Sequence, residues 1–145
     1  MKEMARIEWF SSLYRTPQKG YYLKAGCFEG AFLAAAKTQR LGKAFKLTVS
    51  IPDDPELHFP DEALMPGELF TREEYVSYMA VRVQNKKIFR CRPVFARWHC
   101  TVELLYNDEQ IGADTLREIA VYAGRFIGVG DFRPNYGRFE VAGTK

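Results

Sequence analysis

The sequence predicts an α+β fold: an antiparallel sheet of about five strands with helices on one face, a modified ferredoxin-like or RNA-recognition-like arrangement. Three observations predict it. Apolar residues recur at helical spacing towards both ends of the chain, and strict two-residue alternation fills several segments between them. The resulting order (helix, helix, four strands, helix, strand) suits an antiparallel sheet covered on one side. The 145 residues are the size of one domain, and no linker or internal repeat divides them, so residues 1–145 are expected to form a single domain.

Residues 2–13 read as a helix, with Ala5, Trp9 and Leu13 making one apolar stripe at intervals of four. The turn-forming run Thr16-Pro17-Gln18-Lys19-Gly20 ends that region. Residues 26–37 are Ala-rich and predict a second helix with Phe28, Ala31, Phe32 and Ala35 on its buried face, stopped at Gly42. Phe45, Leu47, Val49 and Ile51 alternate with Lys46, Thr48 and Ser50, the pattern of a half-buried strand. Residues 52–67 contain four prolines and a glycine and predict a long acidic surface loop. Residues 75–83 and 88–92 predict a β-hairpin turned by Gln84-Asn85-Lys86-Lys87, with Pro93 breaking the second strand. Alternation of Trp98, Cys100, Val102, Leu104 and Tyr106 predicts a further long strand. Asp114 is the expected N-cap of a helix over 115–128, whose stripe is Leu116, Ile119, Ala120, Ala123 and Ile127. A glycine-rich loop then leads to a last strand, Arg138 to Val141.

Composition narrows the classes of function. The chain is 47% hydrophobic and 14% aromatic, which argues against disorder. No apolar run reaches the roughly 20 residues of a membrane span, and residues 1–25 lack the apolar centre of a signal peptide, so a cytoplasmic location is expected. Three cysteines without C-x-x-C spacing suit neither a zinc site nor a disulfide framework. The two histidines, His58 and His99, lie far apart in the sequence and in unlike surroundings, so no metal or other cofactor is expected. The formal net charge of +3 is segregated. Residues 1–51 have a balance of +6 and residues 52–74 a balance of −7, whereas residues 75–102 hold six basic residues and no Asp or Glu. Cations interleaved with aromatic rings are what a protein uses to hold phosphates and unstacked bases.

Two constellations carry most of the expected chemistry. In Arg90-Cys91-Arg92-Pro93-Val94-Phe95-Ala96-Arg97-Trp98-His99, alternation puts Arg90 and Arg92 on one strand face, about 6–7 Å apart, suited to neighbouring phosphates. Phe95 and Trp98 fit either base stacking or the core, and the core is the more ordinary role. Lys86 and Lys87 add a basic hairpin tip. The second constellation runs from Gly124 to Arg138, where Gly128, Gly130, Asp131 and Gly137 lie among Arg125, Arg133 and Arg138. It follows a helix and precedes a strand, the reverse of a dinucleotide-binding fingerprint, and it has no Walker lysine. Its backbone amides and arginines suit a phosphate backbone, while the ordinary role is a structural connection in which Asp131 pairs with Arg133 or Arg92. Catalysis has little support, because a histidine acting as general base in a metal-independent nuclease lacks an evident second acid–base partner.

The run R-C-R-P-V-F-A-R-W, followed by A-G-R-F-I-G-V-G-D-F-R-P-N-Y-G-R-F, resembles a family of uncharacterised phage and prophage proteins. Their corresponding segments read R-x-R-P-x-F-x-x-W and G-x-G-D-[WF]-R-P-x-x-G-R-F. That family is in turn distantly similar to the RAMP superfamily of CRISPR systems, whose backbone subunits coat guide RNA with modified RNA-recognition folds. The resemblance implies nucleic-acid contact by Arg90, Arg92, Arg133 and Arg138 beside the 128–137 loop, in a phage- or prophage-encoded protein acting inside a bacterial host. Longer members begin with a strand that this chain replaces by a charged helix. A sheet edge left open in that way is expected to be covered by self-association or by a partner.

The expected function is therefore non-enzymatic binding of single-stranded RNA or DNA on a basic sheet face and glycine loop, through Arg90, Arg92, Arg97, Arg133 and Arg138. The alternative is a protein-interaction module, such as an inhibitor of a host CRISPR or other defence complex. There Asp53, Asp54, Glu56, Asp61 and Glu62 imitate nucleic acid towards a basic partner.

Overall fold

The structure is a computed structural model that describes residues 2–130 and 133–143. It mixes helix and strand with small antiparallel sheets. The chain gathers into two compact units, each built from two separate segments: residues 1–23 with 56–101, and residues 24–55 with 102–145. No helix among the described residues is long and apolar enough to cross a membrane.

The first unit opens with helix α1 (Lys2–Ser11). Its predicted stripe is the buried one: Trp9 is fully enclosed, with Ala5 and Leu13 packed on the same cluster. The Trp9 Nε1–H donates to the Tyr75 carbonyl at 2.9 Å, so the indole is buried without an orphaned donor. Strands β1 (Arg15–Thr16) and β2 (Gly20–Tyr21) form a short antiparallel pair, and the Tyr21 carbonyl accepts from the Leu57 N–H at 2.9 Å. The segment predicted as a surface loop is thereby tied down, and it delivers Leu57 and Phe59 to the core. Phe59 packs against Tyr21 at 5.2 Å and against Phe95 at 4.7 Å between ring centroids. Two further helices lie in the second unit: α2 (Ala25–Thr38) and α3 (Gly42–Thr48). Back in the first unit, the single-turn helix α4 (Pro66–Phe70) begins on its proline and buries Leu69. Strands β3 (Val76–Val83) and β4 (Lys86–Pro93) then form the long hairpin.

In the second unit, Phe28, Ala31, Phe32 and Ala35 form the buried face of α2, as the sequence predicts, and Ala36 is buried with them. They meet helix α5 (Ala113–Tyr122), which buries Leu116 and Ile119 and continues as a π-turn over Ala123–Ile127. The π-turn has a local cause. A side chain at Gly124 would lie 2.2 Å from the Phe139 carbonyl oxygen, and the Gly124 carbonyl accepts the Phe139 N–H at 3.0 Å. The close approach of residue 139 thus takes a carbonyl that a regular helix would keep for itself. Gly128 ends the helix with its N–H on the Ala123 carbonyl at 2.8 Å.

Several expectations are corrected. There is no five-stranded sheet among the described residues: the strands form two two-stranded sheets, β1–β2 and β3–β4. Within the 45–51 alternation residues 45–48 are helical, because α3 covers Gly42–Thr48, while residues 49–51 lie beyond it; Gly42 opens α3 instead of stopping the preceding helix. Phe45 and Val49, four apart, are buried, whereas Leu47 is 74% exposed; a strand would have put all three on one face. Residues 98–106 and 138–141, expected as strands, form no ladder among the described residues. His99 makes an isolated bridge with His58, and Leu105 makes one with Ser50. The N-cap of α5 is Gly112, with Asp114 inside the first turn, where its charge still suits the helix dipole. Lys86 and Lys87 are strand residues beyond a two-residue Gln84-Asn85 turn, in which both residues have positive φ.

Candidate nucleic-acid interface

The hairpin register decides which side chains share a face. A two-residue turn pairs Tyr78 with Cys91, Ala80 with Phe89 and Arg82 with Lys87 on one face. The other face carries Ser77 with Arg92, Met79 with Arg90, Val81 with Ile88 and Val83 with Lys86.

On the first face, at the base of the hairpin, Cys91 is buried in the core. Burial, and then the nearby Glu8 carboxylate, push its thiol pKa up. Beyond it, the rings of Tyr78 and Phe89 stack with centroids 5.2 Å apart and planes within 7°. They remain 51% and 49% exposed. Parallel planes at that centroid distance are offset-stacked, which leaves ring surface open to a third planar group. One step further along the same face, Arg82 stands directly opposite Lys87. Like charges placed directly across a strand pair destabilise the pair, so a bound anion would relieve this row.

Arg90 and Arg92 share the other face, as alternation predicts, but their surroundings differ. The Arg92 guanidinium is bound to the Glu8 carboxylate on α1. Glu8 Oε1 also accepts the Cys91 N–H at 2.8 Å. One carboxylate therefore closes the outer edge of β4 and neutralises Arg92. The pairing of Arg92 or Arg133 with Asp131 falls outside the described residues. Arg90 forms no ion pair among the described residues and is half-buried, and Arg97 is exposed in the bend after β4. Phe95 and Trp98 pack on the first unit's core and so take the ordinary role. Arg133 and Arg138 belong to the second unit, where both are exposed. There the glycine loop is closed by the Val129 N–H donating to the Gly137 carbonyl at 3.0 Å.

The acidic candidates are largely occupied. Asp54 Oδ1 accepts the Ala25 N–H at 2.7 Å, satisfying a donor at the start of α2. Asp61 accepts from the Tyr75 hydroxyl at 2.6 Å and lies 3.4 Å from Arg72. Burial, then the bond to Asp61 and that carboxylate's charge, push the Tyr75 hydroxyl up to about 12. Glu62 lies 3.0 Å from His58 Nδ1 and Glu56 lies 3.7 Å from its Nε2. Asp53 is exposed and, with Asp54, belongs to the second unit; Glu56, Asp61 and Glu62 belong to the first.

The histidines are a further correction. His58 and His99 are backbone-bridged, and their rings stack at 5.0 Å and 26°. Sequence distance hid this, because the bridge joins the middle of one extended segment to another. Both ring nitrogens of His58 lie near carboxylates, Nδ1 within hydrogen-bond distance of Glu62 and Nε2 further from Glu56. Among the described residues no group of three or more His, Cys, Asp and Glu side chains is placed to hold a metal ion. No disulfide joins the three cysteines, and burial raises the Cys100 thiol to about 11, far from a reactive thiolate.

Sequence reasoning missed Tyr78 and Phe89. The signal was available, because a two-residue turn at Gln84-Asn85 fixes the register that sets these rings on one face. Comparison with protein-family models, curated proteins and solved structures returns no match.

Proposed function

We propose that the β3–β4 hairpin is a binding arm for single-stranded RNA or DNA, without chemistry of its own. The observation that carries this reading is the exposed Tyr78–Phe89 stack followed on the same face by the opposed pair Arg82–Lys87. A base stacks on the ring pair while the adjoining phosphate sits between the two cations. Stacking of this kind is worth about 1–3 kcal/mol per base and tolerates any sequence. Lys86, Arg90 and Arg97 extend the positive field, and residues 75–102 contain no carboxylate to oppose it. Arg92 contributes to the fold through Glu8 and not to the strand. Acidic mimicry is the less supported reading, because four of its five carboxylates hold groups of this same chain.

Fluorescence anisotropy with labelled single-stranded RNA and DNA, across a salt series, tests the proposal. Arg82→Gln with Lys87→Gln should lower the log–log salt slope by about 0.7, for the one phosphate no longer neutralised. Tyr78→Ala with Phe89→Ala should weaken binding about tenfold or more while leaving the slope unchanged. Absence of binding by the unaltered protein at low salt overturns the proposal, as does undiminished binding by the Ala pair.

A further inference from the structure

Residues 30–52 are a second stretch without Asp or Glu, and its four cations, Lys37, Arg40, Lys43 and Lys46, fall three residues apart. Along a strand that spacing would scatter them over both faces. The chain here is instead a helix, a short turn and a second helix, and the turn gathers them. Arg40 takes a left-handed conformation, φ 61°, just past the end of α2. The Arg40 N–H donates to the Lys37 carbonyl at 3.2 Å and the Leu41 N–H to the Ala36 carbonyl at 2.9 Å, a reversal of the kind that closes helix C-termini. Gly42 then opens α3. A Cβ at that position would lie 2.7 Å from Lys37 Cγ, so its absence lets the lysine stem lie against the start of the second helix.

The result is an open cleft of about 440 Å³ lined by Leu33, Lys37, Arg40, Gly42, Lys43 and Lys46. Four of its six lining residues are cations and none is a carboxylate. All four are exposed, and none forms an ion pair among the described residues. Four positive charges converging on one concavity repel one another, and a ligand with several negative charges close together offsets that repulsion. We propose that this cleft binds an oligophosphate, the triphosphate tail of a nucleotide or of a strand's 5′ end. Lysines act as point charges on phosphate and the arginine offers a bidentate fork. The volume is in the range of small-ligand sites. No aromatic ring lines the cleft, so recognition rests on the phosphates and not on the base. The site lies on other elements than the hairpin and does not depend on the hairpin reading.

The test is isothermal titration of the full chain, at low salt, with sodium tripolyphosphate, adenosine triphosphate and adenosine. Tripolyphosphate and adenosine triphosphate should bind with affinities within a few-fold of each other, and adenosine should not bind. Lys37→Gln with Lys43→Gln should weaken both by about tenfold or more, and the variant with Gln at all four positions should lose them. Lys37→Arg with Lys43→Arg should retain binding, and circular dichroism checks that each variant is folded. Absence of tripolyphosphate binding by the unaltered protein overturns the proposal, and so does undiminished binding by the four-fold variant. Two RNAs that differ only in a 5′-triphosphate or 5′-hydroxyl end separate the sources, titrated into the Tyr78→Ala, Phe89→Ala protein so that the hairpin contributes less and equally to both. A preference for the triphosphate end that the four Gln substitutions abolish assigns the site to a strand end. Equal binding of the two RNAs, with adenosine triphosphate still bound, assigns it to the free nucleotide.

Discussion

Replacing Glu8 separates the two roles that Arg92 invites. Glu8 Oε1 accepts the Cys91 N–H at 2.8 Å and binds the Arg92 guanidinium. Its side chain is 27% exposed and that of Arg92 is 22% exposed. Glu8→Ala deprives the β4 edge of its acceptor, and leaving a half-buried donor unpaired costs about 1–2 kcal/mol. It also strands a guanidinium on the protein side of the surface. Breaking a fully buried pair costs about 3–5 kcal/mol and an exposed one about 0–1, so this intermediate exposure adds about 1. The expected total is about 2–3 kcal/mol. Glu8→Gln keeps an oxygen for the Cys91 N–H and loses only the charge, so it should cost about 1 kcal/mol. Arg92→Ala should behave similarly, because Glu8 then still caps the strand. Urea unfolding followed by tryptophan fluorescence reads all three, since Trp9 lies wholly inside the same core. An Ala variant within about 0.5 kcal/mol of the unaltered protein, or a Gln variant as unstable as the Ala one, refutes the reasoning. If Arg92 instead serves a bound strand, Arg92→Ala will lower the salt slope of nucleic-acid binding as Arg82→Gln with Lys87→Gln does.

Tyr75 should give the chain a distinctive alkaline limb. Its folded pKa, about 12, lies above the ordinary value of 10.0, so the neutral hydroxyl is favoured by the fold. That stability is fully present below pH 10 and is lost as pH rises through 12, by about 2.7 kcal/mol at most. Tyr75→Phe should cost about 1–2 kcal/mol at neutral pH and remove this part of the limb, read as the difference between the two proteins' stabilities from pH 8 to 12; parallel limbs would contradict it. Gly137 holds φ at +83°, and a Cβ there would lie 1.7 Å from the Val129 carbonyl oxygen. Gly137→Ala should therefore lower stability by about 3 kcal/mol or more, visible as a large fall in melting temperature by circular dichroism. A melting temperature within a degree or two of the original would show that the loop is not held as described.

What was legible in the sequence is what depends on neighbours in the chain. The α1 stripe through Trp9, the small-residue face of α2, the α5 stripe and the hairpin all follow from local periodicity. The 45–51 segment misleads because Phe45, Leu47, Val49 and Ile51 satisfy both periods at once: every second residue is apolar, and so are residues four apart. Only tertiary burial chooses between them, and it takes the helical pair and exposes Leu47. Residues 98–106 alternate as a strand would, but a ladder also needs a partner of matching length, which alternation in one segment does not reveal. The site shows the same division. Alternation placed Arg90 and Arg92 on one face, while the Glu8 that occupies Arg92 lies 84 positions away and leaves no local mark. The cations from Lys37 to Lys46 were visible as a spacing of three, but only the turn at Arg40 gives that spacing a concave surface.

The division of the chain also bears on the order in which it can fold as it is made. The first unit needs residues 1–23 and 56–101, and the second needs 24–55 and 102–145. Trp9 and the rest of α1 leave the ribosome long before Phe59, Tyr75 and Cys91, which complete their cluster. Helix α2 likewise waits for α5, with Phe28 and Phe32 uncovered in the meantime. Neither unit is a contiguous stretch that a fragment could reproduce. Cutting the chain between residues 55 and 56 separates each core into two parts, and non-local contacts of this kind slow folding relative to a chain whose units follow one another.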